Sequence, residues 1–264
     1  MSYTRSLDQL RREDESSFGG KSASLGELLA AEIPVPPGFA LSTAAYASFA
    51  SQPAVAEAIC TAVTKCWMSL YSAEAVAYRE RFHIENPAMG VTIQLMVDAA
   101  VSGVMFTCNP VTGDRSMVAI NASWGLGLAV VGGEVTPDDY LVSKVTREVV
   151  RAKVNDKHHE YVPDPNGGGA VRVDVPADRR TTRCLDEPAL AALVDVAKRV
   201  ERHFGSRQDI EWAIARGQSA PDGLYLLQSR PVTGVEGLKA KPAPESAIAA
   251  VMTTFGANVK RGET

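Results

Sequence analysis

Strict alternation over residues 209–215 leaves this stretch little choice but a β-strand. Asp209, Glu211 and Ala213 fall on one face, and Ile210, Trp212 and Ile214 on the other. A second run, 224–229, follows after the connection 216–223, and Leu226, Gln228 and Arg230 are expected to share a face there. If the hairpin closes symmetrically, Glu211 lies opposite Gln228 and Asp209 opposite Arg230. Two acids, an amide and a guanidinium then share one sheet face, and the apolar face holds the hairpin to a core. A carboxylate and an amide oxygen suit Mg²⁺, which keeps waters and bridges phosphates. A guanidinium suits a phosphate. The plainer alternative is a half-exposed strand face with a cross-strand Asp–Arg pair, which contributes little to stability.

Ahead of this hairpin the periodicity runs from helix to strand and back to helix. Residues 1–17 are polar and read as a lead-in strand or loop. Leu25, Leu28 and Leu29 recur at helical spacing over 21–31, after Gly19 and Gly20. The prolines of 33–39 exclude helix. Thr43 reads as the N-cap of an Ala-rich helix through Phe49. A helix over 55–81 would bury Ile59, Val63, Trp67, Leu70 and Val76. From Gly90 onward strands are expected at 91–97, 101–107 and 117–121. Two more, at 140–143 and 148–153, form a hairpin. Asn166-Gly-Gly-Gly169 reads as a loop. A helix over 185–204, capped by Asp186, aligns Leu190, Leu193, Val194, Ala197 and Val200 on one face. The segment after Thr233, rich in Ala, Pro, Lys and Glu, reads as a linker or a docked helix.

The formal net charge of −4 gives no general attraction to nucleic acid. The opening residues have no apolar run, so no signal peptide is expected, and no stretch is apolar enough to span a membrane. Cys60, Cys66, Cys108 and Cys184 have no metal-ligand spacing and are expected to be reduced, partly buried thiols. The expected setting is cytoplasmic. His83, His158, His159 and His203 are scattered, without a catalytic or metal cluster. Gly20-Lys21-Ser22 lacks the earlier glycine of a phosphate-binding P-loop. A lysine at a helix N-terminus still suits an anion, although a surface lysine is the plainer reading. Gly125 and Gly127, after a strand, are expected to permit close backbone approach or positive φ.

Several segments, in order, resemble one family. Phe18-Gly-Gly-Lys-Ser-Ala-Ser-Leu-Gly-Glu27 and Pro34-Val-Pro-Pro-Gly-Phe39 open the resemblance. Cys66-Trp-Met-Ser-Leu70, Gln94-Leu-Met-Val-Asp98, Ser102-Gly-Val-Met-Phe-Thr107 and Asn109-Pro-Val-Thr-Gly-Asp114 continue it. Asn121-Ala-Ser-Trp-Gly-Leu-Gly127, Gly133-Glu-Val-Thr-Pro-Asp138, Gln208-Asp-Ile-Glu-Trp-Ala213 and Leu227-Gln-Ser-Arg-Pro-Val-Thr233 complete it. Together they resemble the ATP-binding domain of the phosphoenolpyruvate synthase and pyruvate phosphate dikinase family, to which rifampicin phosphotransferase and phenylphosphate synthase are related.

The resemblance implies an α/β, ATP-grasp-like fold of two lobes with the nucleotide between them. Residues 1–88 would form a first lobe, 89–235 a second and 236–264 a tail. It implies that Lys21 and Arg230 contact phosphate, with Asp209 beside them, and that Gln94, Met96 and Val97 line an adenine hinge. Glu211 and Gln228 would hold Mg²⁺. It further implies phosphoryl transfer from ATP to a histidine on another domain or subunit, with a catalytically impaired nucleotide-binding or regulatory remnant as the alternative. Three departures stand out. The family's V-R-S-S-A-T-x-E-D segment, whose Arg contacts phosphates, has no counterpart between Ser51 and Cys60, so the first lobe is expected to be truncated. The family's Gly-Leu-Gly-Glu reads Gly-Leu-Gly-Leu128. The T-x-G-G-x-x-x-H pattern of the phosphohistidine carrier does not occur, so this chain alone is expected not to convert pyruvate to phosphoenolpyruvate.

Overall fold

The structure is a computed structural model and describes residues 3–50, 57–81, 88–166 and 169–232, with the side chains of 47–50 and 57–60 outside that description. The readings placed on Cys60, His83, the Ile59 side chain, Gly167, Gly168 and the 236–264 tail lie outside the described residues. In chain order the elements are β1 (Thr4–Ser6), α1 (Glu15–Phe18), α2 (Gly20–Ala30), β2 (Gly38–Leu41), α3 (Thr43–Ala50), α4 (Glu57–Met68), α5 (Ala73–Arg81), β3 (Val91–Gln94), β4 (Ala99–Phe106) and β5 (Met117–Trp124). They continue with α6 (Leu128–Val131), β6 (Asp138–Ser143), β7 (Val149–Lys153), β8 (His159–Pro163), β9 (Ala170–Asp174), α7 (Ala177–Arg180), α8 (Glu187–Phe204), β10 (Gln208–Ala215) and β11 (Leu224–Pro231).

The strands form a six-stranded sheet in the order β11-β10-β4-β5-β6-β7, a three-stranded sheet β1-β2-β3 and a two-stranded sheet β8-β9. Every described pairing is antiparallel. The fold is therefore mixed α/β built on antiparallel sheets. Helix α8 forms where its sequence places it. The Asp186 carboxylate accepts from the Ala189 N–H at 2.9 Å, Pro188 sits in the first turn, and Gly205 ends the helix. Its stripe Leu190, Leu193, Val194, Ala197 and Val200 is buried in one core with Ile210, Trp212, Leu224 and Leu226 from the large sheet. Trp212 is fully buried there. An aromatic of this size removes about 150–250 Å² from water, worth about 4–6 kcal/mol at about 25 cal/mol per Å².

The N-terminal segment belongs to the same core. Leu7, Leu10, Phe18, Leu25 and Leu28 join it, so the expected lead-in is a packed unit of one strand and helical turns. The polar residues between these leucines face outward and concealed the pattern. The Pro34 carbonyl accepts from the Leu226 N–H at 2.9 Å, which covers the open edge of β11.

Four other local expectations change. The cap of α3 is Ser42, whose hydroxyl accepts from the Ala45 N–H at 3.3 Å; Thr43 lies inside the helix. The single helix expected over 55–81 breaks between α4 and α5. Ser69 donates back to the Cys66 carbonyl and Ser72 accepts from the Ala75 N–H, so two serines satisfy backbone groups locally and end one helix while starting the next. Of its expected buried stripe, Val63 and Trp67 are buried and Leu70 and Val76 half-buried. The thiol of Cys66 is exposed, whereas Cys108 and Cys184 are buried.

One polar knot lies inside. Lys157 and Asp138 are both fully buried, with Nζ 2.6 Å from Oδ1. Lys157 also donates to the Asn155 carbonyl at 2.8 Å. Asp138 further accepts from the Asn155 N–H, the Tyr140 hydroxyl, and the Cys184 N–H and thiol. Burial pushes the Tyr140 hydroxyl and the Cys184 thiol well above their ordinary ranges, so both stay protonated as donors to Asp138.

Candidate functional site

The β10–β11 hairpin has the register expected from its sequence: Asp209 pairs with Arg230 and Glu211 with Gln228. Beyond that pair the register shifts, so that Trp212 faces Leu226. Leu227 is the extra residue of a bulge, which turns Leu226 away from the polar face and into the core. Expecting Leu226 beside Gln228 was therefore incorrect, because period-two counting cannot see an inserted residue.

The two pairs behave differently. Arg230 grips Asp209, with Nε and Nη2 each 2.8 Å from Oδ2, and the Asp209 side chain is 13% exposed against 65% for Arg230. Glu211 and Gln228 are half-buried, and neither side chain has a hydrogen-bonding partner among the described residues. A carboxylate and an amide oxygen, side by side, accessible to water and uncommitted, fit the donor set of a hard divalent cation. The row continues across the sheet through Val104 to Asn121 and Asp139.

Lys21 is exposed at the second position of α2. Gly19 precedes the helix at φ 83° and supplies no side-chain cap. The N–H groups of Gly20, Lys21 and Ser22 have no partner among the described residues. An uncapped helix start favours an anion. Two serines in the same turn fix its position. The Ser22 hydroxyl is 2.6 Å from the Thr92 hydroxyl of β3, and the Ser24 hydroxyl donates to the Ser229 carbonyl of β11 at 2.8 Å. One helical turn thus joins the strand leading to residues 94–98 with the strand carrying Gln228 and Arg230.

Gln94 ends β3, with its Nε2 donating to the Pro36 carbonyl at 3.3 Å. Met96 is exposed, and Val97 packs partly against Ala99, Leu126 and Ala213. Sequence reasoning passed over Ser22, Ser24 and Arg216, which is hydrogen-bonded to Asp98 and Ala99. Of the paired glycines, Gly125 does need its type. It has φ 72°, and a Cβ there would lie 2.3 Å from the Tyr161 carbonyl. Gly127 has ordinary φ and room for a side chain. Leu128 is exposed. Among the described residues no cluster of His, Cys, Asp and Glu forms a metal site, and no helix is long and apolar enough to cross a membrane.

A family model described as "Pyruvate phosphate dikinase, AMP/ATP-binding domain" matches residues 15–61 and 54–249. The probable phosphoenolpyruvate synthase of Methanothermobacter thermautotrophicus is 31% identical over 322 positions, covering 88% of this chain and 46% of the relative. That of Methanocaldococcus jannaschii is 28% identical over 354 positions, covering 99% and 29%. The phosphoenolpyruvate synthase of Pyrococcus furiosus is 39% identical over 201 positions, covering 71% and 24%. The chain spans less than half the length of these relatives. Since 88% of 264 residues is about 232, the 322-position alignment leaves about 90 positions of that relative without a counterpart here. The two family matches meet at 54–61.

Proposed function

Because the chain belongs to the pyruvate phosphate dikinase AMP/ATP-binding domain family, we propose that it is the ATP-binding kinase module of a phosphoenolpyruvate synthase-type phosphotransferase. It passes a phosphoryl group from MgATP to a histidine on a separate domain or subunit. The observation that carries this reading is the first turn of α2, tied by Ser22 to the β3 strand and by Ser24 to the β11 strand. That turn, with free N–H groups and an exposed lysine at its start, is thereby fastened to the strand that carries the uncommitted Gln228.

The proposed architecture is ATP-grasp-like and cytoplasmic, with a shortened first lobe over 1–88, a second over 89–235 and a tail over 236–264. Gln94, Met96 and Val97 receive the adenine. Lys21 and the α2 N-terminus meet phosphate oxygens from one side and Arg230 from the other, so that charge on the transferring group is opposed twice. Asp209 holds Arg230 by two of its nitrogens and leaves Nη1 for phosphate. Glu211 and Gln228 would hold Mg²⁺, which would supply positive charge to offset that of the phosphates. Positioning and charge do most of the work in such a transfer. Label passing from MgATP to the histidine of a supplied phosphohistidine domain would support the proposal; no transfer at any protein concentration, with ATP bound, would contradict it.

A second reading, an impaired nucleotide-binding or regulatory remnant, is favoured by one observation: the positions of the relative that lack a counterpart, taken with the junction at 54–61. The resemblance implies that the family's Arg segment would fall in that interval. Losing one charge-assisted phosphate contact costs at least about tenfold in affinity. Inserting a relative's segment between Ser51 and Cys60 is therefore expected to tighten ATP binding by about tenfold and to raise transfer. An unmodified chain that already transfers at the rate of an intact relative would remove this second reading.

A further inference from the structure

Arg216 leaves the β10–β11 turn and reaches back to the segment that joins β3 to β4. Its backbone N–H donates to the Asp98 carbonyl at 2.7 Å, its Nε to Asp98 Oδ1 at 3.2 Å and its Nη2 to the Ala99 carbonyl at 3.1 Å. The other end of the segment is also fastened. The Leu95 N–H donates to the Pro37 carbonyl at 2.8 Å, and the Gln94 amide to the Pro36 carbonyl. Between these fastenings the peptide groups of Met96 and Val97 have no partner among the described residues. The Val97 side chain is drawn toward Ala99, Leu126 and Ala213, while Met96 stays exposed.

A short stretch of backbone, anchored at both ends and free in the middle, offers N–H donors and carbonyl acceptors held in place from either side. The edge of an adenine presents the complementary pair. Readout of this kind depends on the peptides being held before the ligand arrives, since ordering them afterwards subtracts from affinity. An exposed Arg–Asp pair alone contributes little. Arg216 differs because its guanidinium also holds a main-chain carbonyl, while its own N–H holds another, so its effect falls on backbone geometry.

We propose that Arg216 is a positioning residue for base recognition: it fixes the Met96–Val97 peptides for a purine edge without touching the nucleotide. The proposal rests on the ATP-binding reading and assigns Arg216 to the base and not to the phosphates. It is tested by calorimetric titration of the wild type, Arg216→Ala and Arg216→Lys with MgATP and, separately, with Mg-tripolyphosphate, which lacks the base. Arg216→Ala is expected to weaken MgATP by about tenfold and to leave tripolyphosphate within about twofold. Arg216→Lys, which keeps the backbone N–H and can donate to one carbonyl, is expected to recover part of the loss. Retained tripolyphosphate binding reports that the variant is folded. Equal losses for both ligands, or no loss for MgATP, would overturn the positioning role while leaving the ATP-binding reading in place. A wild type that binds tripolyphosphate as well as MgATP would remove base recognition and this role with it. A wild type that binds neither would remove the ATP-binding reading itself.

Discussion

Replacing Glu211 with alanine is expected to weaken MgATP binding by about ten- to a hundredfold, the usual consequence of losing a charge-assisted contact. Metal-free ATP should be bound nearly as well by the variant as by the wild type. The asymmetry follows from the hairpin. Glu211 faces Gln228 across the strands, and its carboxylate is committed to no other described side chain. Its negative charge repels bare phosphates and attracts them only through a cation. Asp209, two pairs further along the ladder, is already held by Arg230, so it supplies no substitute carboxylate. Titrating both proteins with ATP, in Mg²⁺ and in a chelator, separates the two contributions. Equal losses in both conditions would make Glu211 a structural residue, and the cation would then have no assigned holder on this face.

The largest effect on stability is expected at Lys157. Replacing it with methionine should lower the unfolding free energy by about 3–5 kcal/mol, because it removes one partner of a buried ion pair and leaves the other charge in place. Asp138 would still accept from Asn155, Tyr140 and Cys184, but those donors are neutral. The knot joins β6 to the loop before β8 and to the residues before α8, so its loss should also loosen the seat of α8. Urea unfolding of Lys157→Met beside the double variant Asp138→Leu, Lys157→Met measures this. The double variant should recover much of the loss, since apolar replacement of a buried pair is often near neutral. A single-variant loss below about 1 kcal/mol would mean that water reaches Asp138 and that the pair behaves as a surface one.

What could be read from the sequence was what depends on near neighbours. The hairpin register followed from alternation and a short connection, and α8 followed from its stripe and its Asp186 cap. The break at Ser69–Ser72 was local too, but helical spacing on both sides hid it. Strands β8 and β9 were missed because the pattern at His159–Pro163 is not that of an exposed hairpin: His159 and Glu160 are both buried. Lys157 sits in a run, Asn155-Asp-Lys-His-His159, that reads as a solvated loop, and nothing in its own sequence announces a buried Asp138. The proposed site reads from the sequence as a pair of strand faces and a lysine, and only the family resemblance implies that these lie in one place. The fastenings around them were not legible. Ser24 meets Ser229 and Arg216 meets Asp98 across most of the chain, and such contacts leave no periodicity to read.

We propose that the uncommitted face of the β10–β11 hairpin and the α2 N-terminus together bind ATP through a cation. Calorimetric titration of the wild-type chain with ATP, in Mg²⁺ and again in a chelator, tests it most directly. Saturable one-to-one binding that is at least about tenfold tighter in Mg²⁺ is the expected result. Binding of equal strength in both conditions, or no heat above dilution in either, would contradict the account.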